Sequence, residues 1–249
     1  MSDPRVDVEN LSVGYGAGPV ALREVSFAAA AGQSVCVLGP NGGGKTTLFR
    51  ALVGELRPTA GTLRVAGRPA YLAQTERTRL DFPVSAVDVA LMGTLAAGAW
   101  WRPPRREARE RAERALARVG LADRSRVPFG ELSGGERRRA LLARSLVLDA
   151  PVLLLDEPLA GVDPASAELI SSVFQALREE RRTLLVSTHD VGSARSFDLV
   201  LCLNRRQVAF GRPGDVLGRE TLEATYGQEL IVVSDRGQDQ IVTVQHHHH

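Results

Sequence analysis

Of the 31 lysine and arginine residues in the chain, a single one, Lys45, is lysine. It stands in Gly39-Pro40-Asn41-Gly42-Gly43-Gly44-Lys45-Thr46-Thr47, a glycine followed by four residues and then Gly-Lys-Thr. In such a loop, glycines let the backbone turn tightly and bring its N–H groups close to phosphate oxygens. A lysine there reaches β- and γ-phosphates as a compact point charge, a task the larger forked arginine does not fulfil. The hydroxyl of Thr46 is placed to ligate Mg²⁺. The plain alternative is an ordinary glycine-rich turn.

Three other groups could do chemistry. Val152-Leu153-Leu154-Leu155 runs into Asp156-Glu157-Pro158. Asp156 is the expected Mg²⁺-side acid and Glu157 the candidate general base for an attacking water; the alternative is an acidic turn that caps the next segment. His189 ends Leu184-Leu185-Val186-Ser187-Thr188, and it is the only histidine outside the terminal run His246–His249, which reads as an expression tag. It is either a satisfied structural histidine or a sensor of the γ-phosphate. Leu132-Ser133-Gly134-Gly135-Glu136 precedes a helical pattern. Ser133 can cap that helix, and Gly134 and Gly135 open backbone N–H groups at its positive end, a second phosphate-binding surface; alternatively it is a simple helix cap.

The elements that must carry these groups are legible in the same way. Val35-Cys36-Val37-Leu38 before the loop is a short apolar run suited to a buried strand, and Leu48 to Val53 after it has helical spacing. The runs ending in Asp156 and His189, with Asp198–Leu203, complete a core sheet with polar groups at the carboxyl ends of its strands, where α/β sheets place ligands. Arg5–Ala31 alternates polar and apolar residues and predicts an antiparallel β region. Residues 82–149 predict an inserted helical lobe, in which Ala108, Ala112, Ala115, Leu116 and Val119 form one apolar face. The arginine-rich stretch Arg102–Arg118 is interleaved with Glu107, Glu110 and Glu113 and lacks an aromatic platform, so it predicts a solvated helix face and not a nucleic-acid surface.

Composition limits the class. With 249 residues, one large domain is expected, and a chain of this size buries enough surface to fold without staples. The two cysteines, Cys36 and Cys202, lie inside apolar runs, which excludes a disulfide scaffold and points to a reducing compartment. No run of 18 apolar residues is present, so the chain is not expected to cross a membrane itself. The net charge of +2 excludes nothing.

Taken in order, these motifs resemble ATP-binding-cassette (ABC) ATPases from about Val6 to Val233. The Ser133-Gly134-Gly135 string resembles the signature motif. Tyr15, in Val13-Gly14-Tyr15-Gly16, matches the aromatic residue that stacks on adenine. Gln74, after Tyr71-Leu72-Ala73, matches the Q-loop, grouped with Thr46 and Asp156 on the metal side. Asp163, in Ala160-Gly161-Val162-Asp163, matches the D-loop, and His189 the switch histidine. Departures are few: Glu136 replaces the usual Gln, Ala73 a common Pro, and Gly42-Gly43-Gly44 lacks an interrupting Ser or Ala. Arginines 137–139 follow Glu136 at once and are expected to offset its charge.

The resemblance implies an α/β P-loop core with an N-terminal antiparallel β subdomain and an inserted α-helical subdomain. The domain spans residues 5–233, followed by a tail at 234–245. It also implies ATP and Mg²⁺ as ligands and a head-to-tail pair of subunits, most simply a homodimer, with ATP between Lys45 of one and Ser133 of the other. Separate multi-spanning permease subunits would hold the chain at the cytoplasmic face of the membrane, with an extracytoplasmic metal-binding protein acting indirectly. The segments Asp81–Gly93, Pro158–Asp163 and Leu203–Arg206 resemble the manganese, zinc and iron importer group and are expected to dock the permease. Chelate importers for siderophore or haem, and a soluble non-transport ATPase, are the alternatives.

Overall fold

A computed structural model describes residues 4–16, 18–74, 83–95, 106–227, 230–235 and 238–243. Asp81 and Phe82 of the expected docking segment, residues 102–105 of the arginine-rich stretch, and the 246–249 run lie outside the described residues.

Strands β1 (Val6–Gly14), β2 (Val20–Ala29) and β4 (Pro58–Val65) form an antiparallel sheet in the order β2-β1-β4. Val6, Val8, Leu11 and Val13 of β1 are buried, and the alternation slips by a residue where Asn10 takes a left-handed φ of 48°. Strands β1 and β2 are the antiparallel region expected from the alternation of Arg5–Ala31, and β4, outside that range, adds the third strand.

The second sheet has six strands in the order β5-β6-β7-β3-β8-β9. Here β3 is Ser34–Leu38, β5 Ala70–Leu72, β6 Val152–Asp156, β7 Thr183–Thr188, β8 Leu199–Leu203 and β9 Gln207–Gly211. The first five run parallel and β9 returns antiparallel on β8. Every residue of β3 and β6 is buried, as continuous apolar runs covered on both faces require. The register Leu38↔Thr188 and Asp156↔Ser187 brings the carboxyl ends of β3, β6 and β7 level, so the groups that follow them share one edge. Helix α1 (Lys45–Leu52) leaves β3 and buries Leu48, Phe49, Ala51 and Leu52 between the two sheets.

The helical lobe consists of α2 (Ala86–Leu95), α3 (Arg106–Arg118) and α4 (Gly134–Leu146), packed in one apolar cluster with the sheet and with α5 (Pro164–Glu179). Ala108, Ala112, Ala115, Leu116 and Val119 are all buried there. On the opposite face of α3, Arg106 pairs with Glu110 and Arg109 with Glu113 one turn on. Among the described residues no helix is long and apolar enough to cross a membrane.

Short helices α6 (Val191–Ala194) and α7 (Pro213–Val216), with α8 (Arg219–Tyr226), cover the remaining side of the core sheet around Cys36 and Cys202, both buried free thiols. Beyond them β10 (Leu230–Asp235) and β11 (Gln238–Thr243) pair as a hairpin across the boundary expected at 233/234.

Candidate active site

The loop after β3 is shaped by backbone that tolerates no side chain. A Cβ on Gly39 would stand 2.2 Å from the Leu203 carbonyl oxygen, and Gly44, at φ 101°, would meet Leu22 Cδ1 at 2.7 Å. The Arg205 N–H donates to the Gly43 carbonyl at 2.8 Å and fixes the loop to the β8–β9 turn. Helix α1 then begins with no side-chain cap and no acid in its first turn, so its N-terminal N–H groups are left for an anion. The buried Lys45 Nζ donates to the Gly39 and Pro40 carbonyls at 2.7 and 3.0 Å, which holds a desolvated ammonium beneath the loop. These features fit a phosphate chain.

Tyr15 is 45% exposed beside this loop. Its hydroxyl shares a 2.9 Å hydrogen bond with the hydroxyl of Thr47, and the Arg50 guanidinium lies 5.5 Å from its ring centroid. The ring is therefore held in place and keeps area free for stacking.

On the metal side, the Thr46 hydroxyl donates to Asp156 Oδ2 at 2.8 Å, and the Tyr71 hydroxyl reaches the same oxygen at 3.4 Å. The Ser187 hydroxyl donates to Asp156 Oδ1. A fully buried carboxylate beside a hydroxyl, all hard oxygen donors, fits Mg²⁺. Gln74 reaches the neighbour of Asp156: its Nε2 donates to Glu157 Oε2 at 2.9 Å.

Glu157 follows β6 in a left-handed conformation, φ 48°, and its N–H donates to Ser187 Oγ at 3.0 Å. His189 Nδ1 stands 3.8 Å from Glu157 Oε1. The neighbouring His189 imidazole, then the charge of Lys45, hold the Glu157 carboxyl below its usual range, and Glu157 in turn raises the His189 imidazole. Glu157 is thus a charged acceptor at neutral pH, as a base for water must be. Together with Asn41 and Gln74, these two residues line one end of a cleft of about 870 Å³ that extends along β7.

Ser133, Gly134, Gly135 and Asp163 form a second group. Ser133 Oγ accepts from the Glu136 N–H at 3.2 Å, while Glu136 Oε2 accepts from the Ser133 N–H at 2.8 Å, a reciprocal cap on α4. A Cβ on Gly135 would lie 2.4 Å from Asp163 Oδ2, so the start of α4 abuts the start of α5, which Asp163 caps through Ser166. Ser133 and Gly134 are exposed.

The expected charge offset is corrected. Glu136 pairs with Arg124 at 3.2 Å, whereas the next three arginines turn to backbone carbonyls: Arg137 to Leu132, Arg138 to four others, Arg139 to Val119 and Gly120. The reason is geometric: the Glu136 side chain is bent back onto its own helix cap, toward the 124 turn. Reading the sequence missed Ser187, Tyr71 and Arg138. Ser187 carried a faint signal, as the inward polar residue of an apolar run; the other two carried none.

A family model described as "ABC transporter" matches residues 22–160. The chain is 35% identical over 240 residues to the manganese transport system ATP-binding protein MntB of Bacillus subtilis (strain 168), covering 93% of this chain and 96% of that one. It is 37% identical over 234 residues to the zinc transport system ATP-binding protein TroB of Treponema pallidum (strain Nichols), covering 90% and 88%. Among solved structures, an inward-facing transporter assigned to the metal-chelate type of ABC transporter superposes with a TM-score of 0.83 at 25% identity, covering 98% of both chains.

Proposed function

The chain belongs to the ABC transporter family, and we propose that it is the ATP-binding and ATP-hydrolysing subunit of a bacterial importer that powers uptake of a divalent metal ion, manganese, zinc or iron, through a separate permease. The observation that carries the hydrolytic reading is the Glu157 carboxylate held between Gln74 and His189 beside the Lys45 loop. The cargo class rests on the identity to manganese and zinc transport proteins.

In this reading Gly39–Gly44, Lys45 and Thr47 bind the triphosphate, and Tyr15 stacks on the adenine. Thr46, Asp156 and Gln74 would hold Mg²⁺, which neutralises charge on the phosphates when bound. Glu157 accepts the proton of the attacking water, while Gln74 and His189 aim its carboxylate. Ser133, Gly134 and Asp163 are open to solvent or at its edge, which suits a site completed by a second subunit. Two copies pair head to tail, each nucleotide lying between Lys45 of one copy and Ser133 of the partner subunit. The helical lobe, where Met92 of α2 is exposed, docks the permease at the cytoplasmic face of the membrane, and a metal-binding protein delivers cargo on the other side. The domain is taken as residues 5–233, with 82–149 as its helical insertion.

The test is transport. The chain is co-expressed with a candidate permease and reconstituted in vesicles with ATP on its own side. Radiolabelled Mn²⁺, Zn²⁺ or Fe²⁺ should accumulate with wild-type chain and not with Glu157→Gln. Accumulation of a ferric chelate alone would favour the chelate reading, and ATP-dependent transport of neither would overturn the proposal.

A further inference from the structure

We propose that Arg138 is the positioning residue that aims the Glu157 carboxylate and ties it to the helical lobe, an inference that rests on the reading of Glu157 as the base. Arg138 lies on α4, one turn past the Ser133 cap, and its guanidinium leaves the lobe to grip two segments of the core sheet. Nη2 donates to the Asp156 and Glu157 carbonyls at 2.8 and 2.7 Å, Nε to Pro158 O at 3.2 Å, and Nη1 to Ala73 O at 3.2 Å.

Each acceptor sits beside a group of the site. Asp156, Glu157 and Pro158 span the turn that carries both carboxylates, and Ala73 immediately precedes Gln74. The need for such a clamp comes from the backbone. Glu157 occupies a left-handed φ of 48°, which a residue with a side chain keeps only when its surroundings impose it. On the amide side the N–H is held by Ser187 Oγ. On the carbonyl side Arg138 takes two consecutive oxygens with one nitrogen and the flanking one with another. A planar fork with five donors meets this pattern, and a compact ammonium does not.

The same side chain therefore fixes two distances at once. It holds the peptide that projects the Glu157 carboxylate, and it holds the peptide before Gln74, whose amide donates to that carboxylate. A rotation of α4 against the core sheet must stretch or break these bonds together. Lobe orientation and base orientation are thus coupled through one residue, which acts through the peptides of Glu157 and Ala73.

The experiment compares wild type, Arg138→Gln and Arg138→Lys by steady-state MgATP hydrolysis, equilibrium ATP binding and thermal unfolding, with Glu157→Gln measured alongside. Arg138→Gln should lower kcat by about tenfold or more, since small misplacements of a catalytic group are costly, while KM and the ATP Kd stay within about twofold. Arg138→Lys should fall between the two, because one ammonium keeps only part of the set. Wild-type kcat in folded Arg138→Gln overturns the proposal. So does an equal loss of kcat and ATP affinity with a lowered Tm, which marks a mere brace. If Arg138→Gln does not fold, Arg138→Lys decides by the same criteria. If Glu157→Gln turns over like wild type, the reading of the site itself fails; if it is inactive and the Arg138 variants are not impaired, only the Arg138 assignment fails.

Discussion

The His189 imidazole and the Glu157 carboxylate lie 3.8 Å apart, and each displaces the titration of the other: His189 upward, Glu157 downward. The raised histidine contributes stability that is fully present below its ordinary value of about 6.5 and is lost as pH rises through its higher folded value. The depressed glutamate contributes stability present above about 4.3 and lost as pH falls through its lower folded value. Their joint contribution is therefore greatest between those two ordinary values. His189→Gln should cost most near pH 5.5 to 6, by no more than about 1 kcal/mol because the imidazole is partly solvated. The difference should shrink toward pH 9. Urea unfolding of both proteins across pH checks this; a difference that grows with pH would contradict the pairing.

Lys45 supplies the loop with its one buried cation. Lys45→Ala should weaken ATP binding by about tenfold or more, the scale of a lost charge-assisted hydrogen bond. Lys45→Arg should not restore it, because the space beneath the Gly39 and Pro40 carbonyls is filled by a single ammonium. Titration of a fluorescent ATP analogue, with Tm as a control, measures both.

Ser133 and Glu136 cap α4 reciprocally, and only Ser133 is assigned to a nucleotide. Ser133→Ala should destabilise the chain by about 1 kcal/mol, the usual worth of an N-cap, leave ATP binding by the monomer intact, and abolish ATP-dependent dimer formation. Glu136→Gln keeps a side chain able to complete the cap and loses the half-exposed pairing with Arg124. It should change stability by less than about 1 kcal/mol and leave turnover near wild type. Light scattering with and without ATP, beside urea unfolding, separates the two.

How far the residues foretold the molecule depends on range. β3, β6, β7 and β8 were legible because strands buried on both faces are mostly apolar, and their carboxyl ends marked the site. β5 and β9 were not: Ala70–Leu72 is three residues long, and Gln207–Gly211 is a half-buried edge without alternation. The Lys45 loop announced itself because its glycine spacing is local. Arg138 could not, because its acceptors lie 18 to 65 positions away in sequence. In a run of three arginines nothing local separates a guanidinium that meets solvent from one that grips a catalytic turn. The partner of Glu136 was misassigned for the same reason, since adjacency along a helix does not place side chains on one face.

The central claim is that Glu157 is the base of an ATP-hydrolysing cassette. The direct measurement is steady-state ATP hydrolysis by wild type and Glu157→Gln, followed by light scattering of the variant with MgATP. The isosteric amide keeps the contacts of the turn and loses the proton acceptor, so kcat should fall by about a hundredfold or more while an ATP-bound dimer accumulates. Hydrolysis by Glu157→Gln at the wild-type rate would contradict the account.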